Sequence, residues 1–287
     1  MKAVYKKDLK SAFTGMIGWV LCAFVVVVVG LYFTAICLQS GYADFSLVLY
    51  NTTFIFLVVV PLLTMRSIVE ERRQKTDQLL LTSRASIAGI VWGKYLALVT
   101  VYAIPLAIVG ICPLVMRAYG SVSLARSYAA LLAFFLMGAA AIAIGLFMSS
   151  LTENQIIAAV SGVAALLLAY MMPSLRTMFT TGSAVALALF TAIAAVLSVV
   201  AGLRSKSFTL GCLSFAGCCV ALTALFLLKS SWLTEAFSAV LSALCLFTPF
   251  EEFVNSSFSI PTLVYYLTVA AVFLFFTAQG LEKRRWN

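Results

Sequence analysis

The residues whose types and spacing could do chemistry are concentrated in one polar stretch, residues 66–86, RSIVEERRQKTDQLLLTSRAS. It holds three of the chain's ten acidic residues, Glu70, Glu71 and Asp77, together with five basic residues. Opposite charges stand four residues apart, a spacing that brings them together on a helix and stabilises it by a few tenths of a kcal/mol per pair. The pairs are Arg66 with Glu70, Glu71 with Lys75, and Arg73 with Asp77. The pattern predicts either a charged surface helix that docks on a partner or a cytoplasmic loop whose charges only set the topology.

Catalytic chemistry has little support elsewhere in the sequence. The chain has no histidine, which excludes histidine general bases, histidine-ligated zinc and histidine-ligated haem. Its seven cysteines form no C-x-x-C pair and lie mainly in apolar runs, so we expect small buried apolar residues. Glu251 and Glu252 are adjacent and diverge on a helix, so they do not form an acid and base pair. The sequence therefore predicts no enzyme.

A phosphate-binding loop is also missing from the sequence. Residues 89–95, GIVWGKY, superficially resemble the pattern G-x-x-x-x-G-K-[ST], but the spacing is one residue short and Tyr95 replaces Ser or Thr. We expect residues 1–287 to form a single transmembrane domain without a nucleotide-binding domain. If the protein uses ATP, a separate subunit must bind it.

Composition places the chain in a membrane. Hydrophobic residues make up 63% of the sequence and charged residues 10%, against about a quarter in soluble domains, and mean hydropathy is +1.10. The formal net charge is +9, but the basic residues mark the ends of apolar runs. That arrangement indicates contact with lipid head groups and a fixed topology rather than nucleic-acid binding.

The apolar runs predict an all-α integral membrane protein, a polytopic helical bundle of about eight transmembrane helices. Residues 1–15 interleave lysines with Val4, Leu9 and Phe13, which predicts an amphipathic interfacial helix before the first span. The first run is too long for a signal peptide and is expected to be retained. The predicted spans are 16–38, 47–65, 90–116, 128–148, 156–172, 184–203, 208–228 and 262–278.

The basic residues also predict the orientation of the spans. With both termini in the cytoplasm, 15 of the 19 lysines and arginines lie on the cytoplasmic side, including those in residues 66–94 and 204–206. Residues 230–259 are expected to form short helices at the outer surface.

Two further features concern the packing of the helices. Residues 138–145, GAAAIAIG, offer a surface on which another helix can approach closely. Pro105 and Pro113 can kink the third span.

Four segments resemble one family of membrane proteins. Residues 65–86, followed by IVWGKYLA, resemble the ABC-2-type exporter permease pattern R-x-x-x-E-E-R-R-x-G-T-x-E-L-L-L-T-S-P-V-S, with Lys75, Asp77 and Arg84 in place of Gly, Glu and Pro. Residues 146–155, LFMSSLTENQ, match L-F-x-S-S-L-T-E-N-Q. Residues 5–20 and 247–286 resemble the opening and the ending of these proteins. The gliding-motility-type permeases are the most similar branch, and relative to six-span members residues 184–228 form an insertion of two spans.

This resemblance implies a permease subunit of an ATP-driven exporter in the plasma membrane of a prokaryote. A dimer of cytoplasmic ABC ATPase subunits would bind the ATP and Mg²⁺, and this chain would hold no cofactor. A second permease subunit, identical or different, and membrane lipids are the other expected partners. The coupling helix at about residues 66–83 and the SSLTENQ turn would contact the ATPase. The expected contact residues are Arg66, Glu70, Glu71, Arg72, Arg73, Thr76, Asp77, Leu79, Leu80, Thr152, Glu153 and Asn154.

Two other classes of function stay open at this point. One is an ion-coupled secondary transporter, although the acidic residues fall in loops or near span ends, which disfavours proton coupling. The other is a non-transporting immunity or anchor protein. If residues 66–83 couple to an ATPase, reversing Glu70 and Glu71 to Lys is expected to disturb coupling while thermal stability stays nearly intact.

Overall fold

In the computed structural model all regular secondary structure is helical, and no strand occurs in the residues that the structure describes. These are residues 1–41, 44–75, 86–119, 122–179, 242, 244–255 and 259–286. The all-α prediction is confirmed for these ranges. The predicted spans 184–203 and 208–228, and the basic residues 204–206 between them, lie outside the described residues.

Six helical stretches within these ranges are long and apolar enough to cross a membrane. They correspond to the first five predicted spans and the last one, so hydropathy located each of them correctly. The stretches are Gly18–Gln39, Phe45–Arg73, Ile87–Ala118, Leu124–Leu151, Gln155–Ser174 and Ile260–Lys283.

The chain divides into two compact units. The first comprises Met1–Tyr170 and Leu246–Asn287 and contains the hydrophobic core and the candidate site. The second is Met171–Cys245, in which the structure describes the end of one long helix and residues 242, 244 and 245.

The amino-terminal helix α1 (Lys2–Thr14) is separate from the first span, which begins as α2 (Met16–Phe33) and ends in a π-helical turn, Thr34–Gln39. Gly15 between them is extended. A Cβ atom on Gly18 would lie 2.6 Å from the carbonyl oxygen of Ala12, so glycine permits the close approach of the two helices. The amphipathic helix is present as predicted, and its apolar residues Leu9 and Phe13 pack against the protein core.

The second span is built from several short pieces. It consists of α3 (Phe45–Asn51), a 3₁₀ turn (Thr53–Ile55), α4 (Phe56–Thr64) and, after a turn, the short helix α5 (Val69–Arg73). Asp44 caps α3 by accepting a hydrogen bond from the backbone N–H of Ser46 at 3.1 Å.

The third span consists of α6 (Ile87–Val109) and α7 (Cys112–Tyr119). Ser86 caps α6 by accepting from the N–H of Gly89. The helix continues through Pro105, and the break falls at Gly110. Pro113 lies in the first turn of α7, where no helical hydrogen bond needs its missing N–H. The predicted interruption is present, but Pro113 begins a helix rather than kinking one.

Two long helices follow, α8 (Leu124–Leu151) and α9 (Gln155–Phe179). A Cβ atom on Gly138 would lie 2.5 Å from the Tyr102 side chain, and one on Gly145 would lie 2.7 Å from Thr64. The prediction of close helix approach along residues 138–145 is confirmed, because α8 meets α6 and α4 at these two glycines.

The chain ends with α10 (Phe250–Val254) and α11 (Ile260–Trp286). Arg126 forms an ion pair with Asp44 at 2.9 Å and donates a hydrogen bond to the carbonyl oxygen of Val254. Glu251 accepts from Tyr50 and Glu252 accepts from Thr262, so the two carboxylates diverge as predicted. Because Asp44 and Arg73 bound the same span, this polar group lies at the end of the bundle opposite α5.

Candidate coupling site

The site lies where α5 meets α1 and the start of α6. The carboxylate of Glu71 on α5 pairs with two lysines, Lys7 of α1 at 2.6 Å and Lys94 of α6 at 2.9 Å. Lys94 also pairs with Asp8 of α1 at 3.2 Å and donates to the carbonyl oxygen of Ser67 at 2.7 Å. Three elements that are distant in the sequence are therefore joined by one network of charges.

Lys94 is at the centre of this network. Its side chain is 3% exposed, and those of Glu71 and Asp8 are 13% and 18% exposed. Two cations, Lys7 and Lys94, balance the two carboxylates. A lysine buried this deeply is retained as a charge only when carboxylates and carbonyl oxygens surround it, as they do here.

The pKa values of two groups of α1 are shifted from their usual range. Burial raises the pKa of the Asp8 carboxyl above its usual range, although the charge of Lys94 acts in the opposite direction. The pKa of the Lys7 ammonium is raised as well. Burial alone would lower it, but the hydrogen bond and the charge of Glu71 outweigh the effect of burial. At neutral pH Lys7 is thus firmly held as a cation.

Arg72 connects α5 to the turn between α8 and α9. Its guanidinium donates a hydrogen bond to the carbonyl oxygen of Thr152 at 3.1 Å, and the residue is only 8% exposed. The SSLTENQ segment, residues 149–155, is therefore in direct contact with α5. The structure brings together three of the four segments that the sequence analysis singled out, because Lys7 of residues 5–20 also pairs with Glu71.

The turn itself is stabilised by its own side chains. Thr152 accepts a hydrogen bond from the N–H of Asn154 at 3.0 Å, and Asn154 accepts one from the N–H of Ile156 at 2.9 Å. Asn154 is the N-cap of α9, because it directly precedes the first helical residue, and the Ser150 hydroxyl donates to the carbonyl oxygen of Phe147.

The coupling helix is shorter than the predicted residues 66–83 over the part that the structure describes. Helical structure covers Val69–Arg73, and Lys75 has a φ of +56°, a left-handed conformation that ends the helix. Glycine adopts this conformation without strain, and the resembling family pattern has Gly there. Lys75 is the one non-glycine residue with positive φ in the described ranges.

Two of the three predicted pairs at i,i+4 spacing are not the contacts that hold this segment, and the third, Arg73 with Asp77, includes a residue outside the described ranges. Arg66 precedes α5 in a turn, and no ion pair joins it to Glu70 in the described structure. Lys75 lies beyond the helix end. Within the described residues, Glu71 forms its ion pairs with residues of α1 and α6. The i,i+4 spacing did not predict these contacts, because partners that are distant in the sequence meet the charged side chains in a buried site.

The predicted contact residues differ in how the structure places them. Arg73, Glu153 and Asn154 are exposed, whereas Glu71 and Arg72 are held within the protein. Arg66 and Glu70 line a cavity beside α1. Thr76, Asp77, Leu79 and Leu80 lie outside the described residues.

Sequence reasoning missed Lys7, Asp8 and Lys94 as parts of the site. Lys94 carried a usable signal, since it stands within the apolar run IAGIVWGKYLALV, where a charge requires a partner. Its carboxylate partners were not identifiable, because Asp8 and Glu71 lie 86 and 23 residues away in sequence.

A family model described as "ABC-2 family transporter protein" matches residues 38–182, half of the chain. The chain belongs to this family. No curated protein and no solved structure matches it. The matched range of this ABC-2 protein includes α5 and the SSLTENQ turn, whereas the resemblances at residues 5–20 and 247–286 lie outside it. The protein is a multi-pass membrane permease of an ABC transporter and not its ATPase.

Proposed function

We propose that this ABC-2 permease exports its substrate with energy from ATP hydrolysed by separate cytoplasmic ATPase subunits. The proposed docking surface consists of the segment 66–83 and the SSLTENQ turn. The observation that supports this proposal is the hydrogen bond from Arg72 to Thr152, because it makes one continuous surface from two loops that follow different spans.

The geometry suits the transmission of force into the membrane. A partner that pushes α5 also pushes the SSLTENQ turn through Arg72, and hence the ends of α8 and α9. The Glu71 to Lys94 pair carries the same displacement to α6 and α1. ATP-driven closure of the partner subunits would thus bias a two-state rearrangement of spans between inward-open and outward-open forms.

Within this surface the side chains have different roles. Arg73, Glu153 and Asn154 are exposed and are the proposed contacts with the ATPase, together with Thr76, Asp77, Leu79 and Leu80. Glu71 and Arg72 hold the surface to the bundle. Arg66 and Glu70 form its edge beside α1.

The finer features of the proposal follow from the sequence. The four resembling segments support the gliding-motility-type branch, export, and a permease dimer formed with a second copy or a related subunit. ATP and Mg²⁺ would bind in the ATPase dimer. The same resemblance supports a prokaryotic plasma membrane location, and the distribution of basic residues supports an orientation with both termini in the cytoplasm.

The test is reconstitution with the ATPase encoded beside this chain, if that ATPase has no spans of its own. We expect the two proteins to copurify. We also expect transport in proteoliposomes to stop when the ATPase is replaced by a variant that binds ATP but does not hydrolyse it. Transport driven by an ion gradient without the ATPase would instead identify a secondary transporter. Failure of any ATPase to associate would favour the anchor or immunity class.

A further inference from the structure

A cavity of about 670 Å³ lies beside the coupling site, between α1, the start of α2, the end of α4, and α5. Its lining has an apolar part, which includes Leu62 and Leu98, and a polar part, which includes Lys10, Ser11, Arg66 and Glu70. This mixed lining gives the cavity the amphipathic character of a lipid head-group site.

Of the six charged residues that line the cavity, three are in ion pairs and three have none within the described part of the chain. Lys7, Asp8 and Glu71 belong to the network with Lys94. In the described part of the chain Lys10, Arg66 and Glu70 have no ion-pair partner. The cavity therefore offers two cations and one carboxylate to a ligand.

The cavity lies at the level of the lipid head groups. Trp19 and Trp92, at the starts of the first and third spans, are 65% and 43% exposed, and tryptophans are enriched where a span meets the membrane interface. Leu62 in the cavity lining is 45% exposed, so the apolar part of the lining continues into the surface that faces the bilayer.

We propose that this cavity binds the head group of phosphatidylethanolamine. Lys10 and Arg66 donate charge-assisted hydrogen bonds to the phosphate, and Glu70 accepts from the ammonium group. Leu62 contacts the start of an acyl chain. Phosphatidylcholine has no N–H to donate to Glu70, and phosphatidylglycerol has no cation, so the three charges together favour the ethanolamine lipid.

The test uses the purified full-length chain without an ATPase, so its outcome is independent of the coupling proposal. Delipidated protein is titrated with each of the three phospholipids, and binding is followed by native mass spectrometry. We expect phosphatidylethanolamine to bind about fivefold tighter than either of the other two lipids. Equal binding of the three lipids, or tightest binding of phosphatidylglycerol, overturns the proposal.

Variants separate the two parts of the head group. Glu70→Gln should abolish the preference over phosphatidylcholine, and Lys10→Gln should weaken binding of all three lipids about fivefold. Lys6→Gln is the matched control, because Lys6 is exposed on the same helix and does not line the cavity. An equal effect of Lys6→Gln and Lys10→Gln contradicts the proposed site.

A final competitor tests whether the ligand is a lipid. Glycerophosphoethanolamine carries the same head group without acyl chains and should not displace the lipid at equal concentration. Full displacement would show a site for soluble phosphate esters and would overturn the assignment to a phospholipid.

Discussion

The guanidinium of Arg72 donates a hydrogen bond to the backbone carbonyl oxygen of Thr152, across 3.1 Å and 80 residues of sequence. This contact joins the loops that follow the second and fourth spans. In the proposed function, this contact makes the two segments parts of one docking surface for an ABC ATPase.

Removing this contact should destabilise the protein. We expect Arg72→Gln to lower the free energy of unfolding by about 1.5 to 3 kcal/mol, the usual worth of a buried hydrogen bond to a charged group. The measurement is equilibrium unfolding in mixed micelles. Arg73→Gln is the control, since Arg73 is exposed and its loss should stay within about 0.5 kcal/mol. Equal losses in the two variants would show that Arg72 does not anchor the turn.

Glu71 and Glu70 should respond differently to charge reversal. Glu71→Lys places a third cation beside Lys7 and Lys94 in a buried network, and we expect a loss of stability of about 3 to 5 kcal/mol. Glu70→Lys should be nearly neutral, because Glu70 is half-buried and has no ion-pair partner in the described structure. The same unfolding experiment compares them. A neutral effect of Glu71→Lys would contradict the structural role assigned to this network.

The sequence-based expectation was that reversing Glu70 and Glu71 together leaves thermal stability nearly intact. The structure leads us to expect this of Glu70 but not of Glu71, because Glu71 pairs with Lys7 and Lys94 whereas Glu70 has no ion-pair partner in the described structure.

Lys75 is a position where the natural side chain costs stability. Its φ of +56° should make Lys75→Gly stabilising by about 1 kcal/mol. Gln74→Gly, one residue earlier in a right-handed conformation, should lose about 0.5 to 1 kcal/mol. Thermal denaturation of the two variants in the same detergent reports the difference, and a loss of stability in both would argue against the left-handed turn.

Gly138 should tolerate no side chain. A Cβ atom there would lie 2.5 Å from the buried Tyr102 ring, so Gly138→Ala is expected to cost about 1 to 3 kcal/mol. At Gly30 nothing lies within 4 Å, and Gly30→Ala should stabilise the helix by about 0.5 to 1 kcal/mol. Unfolding of the two alanine variants tests the packing of α8 on α6, and similar behaviour of both would contradict it.

The helices were predictable from sequence, whereas the site was predictable only in part. Each described span is a continuous apolar run, and hydropathy alone locates such runs. The motifs with EERR and SSLTENQ lie in segments that the structure places in contact. The sequence could not show that Lys94, Asp8 and Glu71 meet, because their pairing depends on the packing of three helices. It also did not show that α5 ends at Arg73, because local charge spacing does not report the backbone turn at Lys75.

The central claim is that the surface around α5 contacts a cytoplasmic ATPase. The most direct measurement places a photo-crosslinking amino acid at position 73, in whole cells that also express the ATPase. We expect a crosslink between the two proteins whose yield changes when ATP is depleted. The control position is 117, an exposed arginine at the opposite end of the bundle, where no crosslink to the ATPase should form. Crosslinking at 117 but not at 73, or at neither position in a membrane that contains both proteins, would contradict the account.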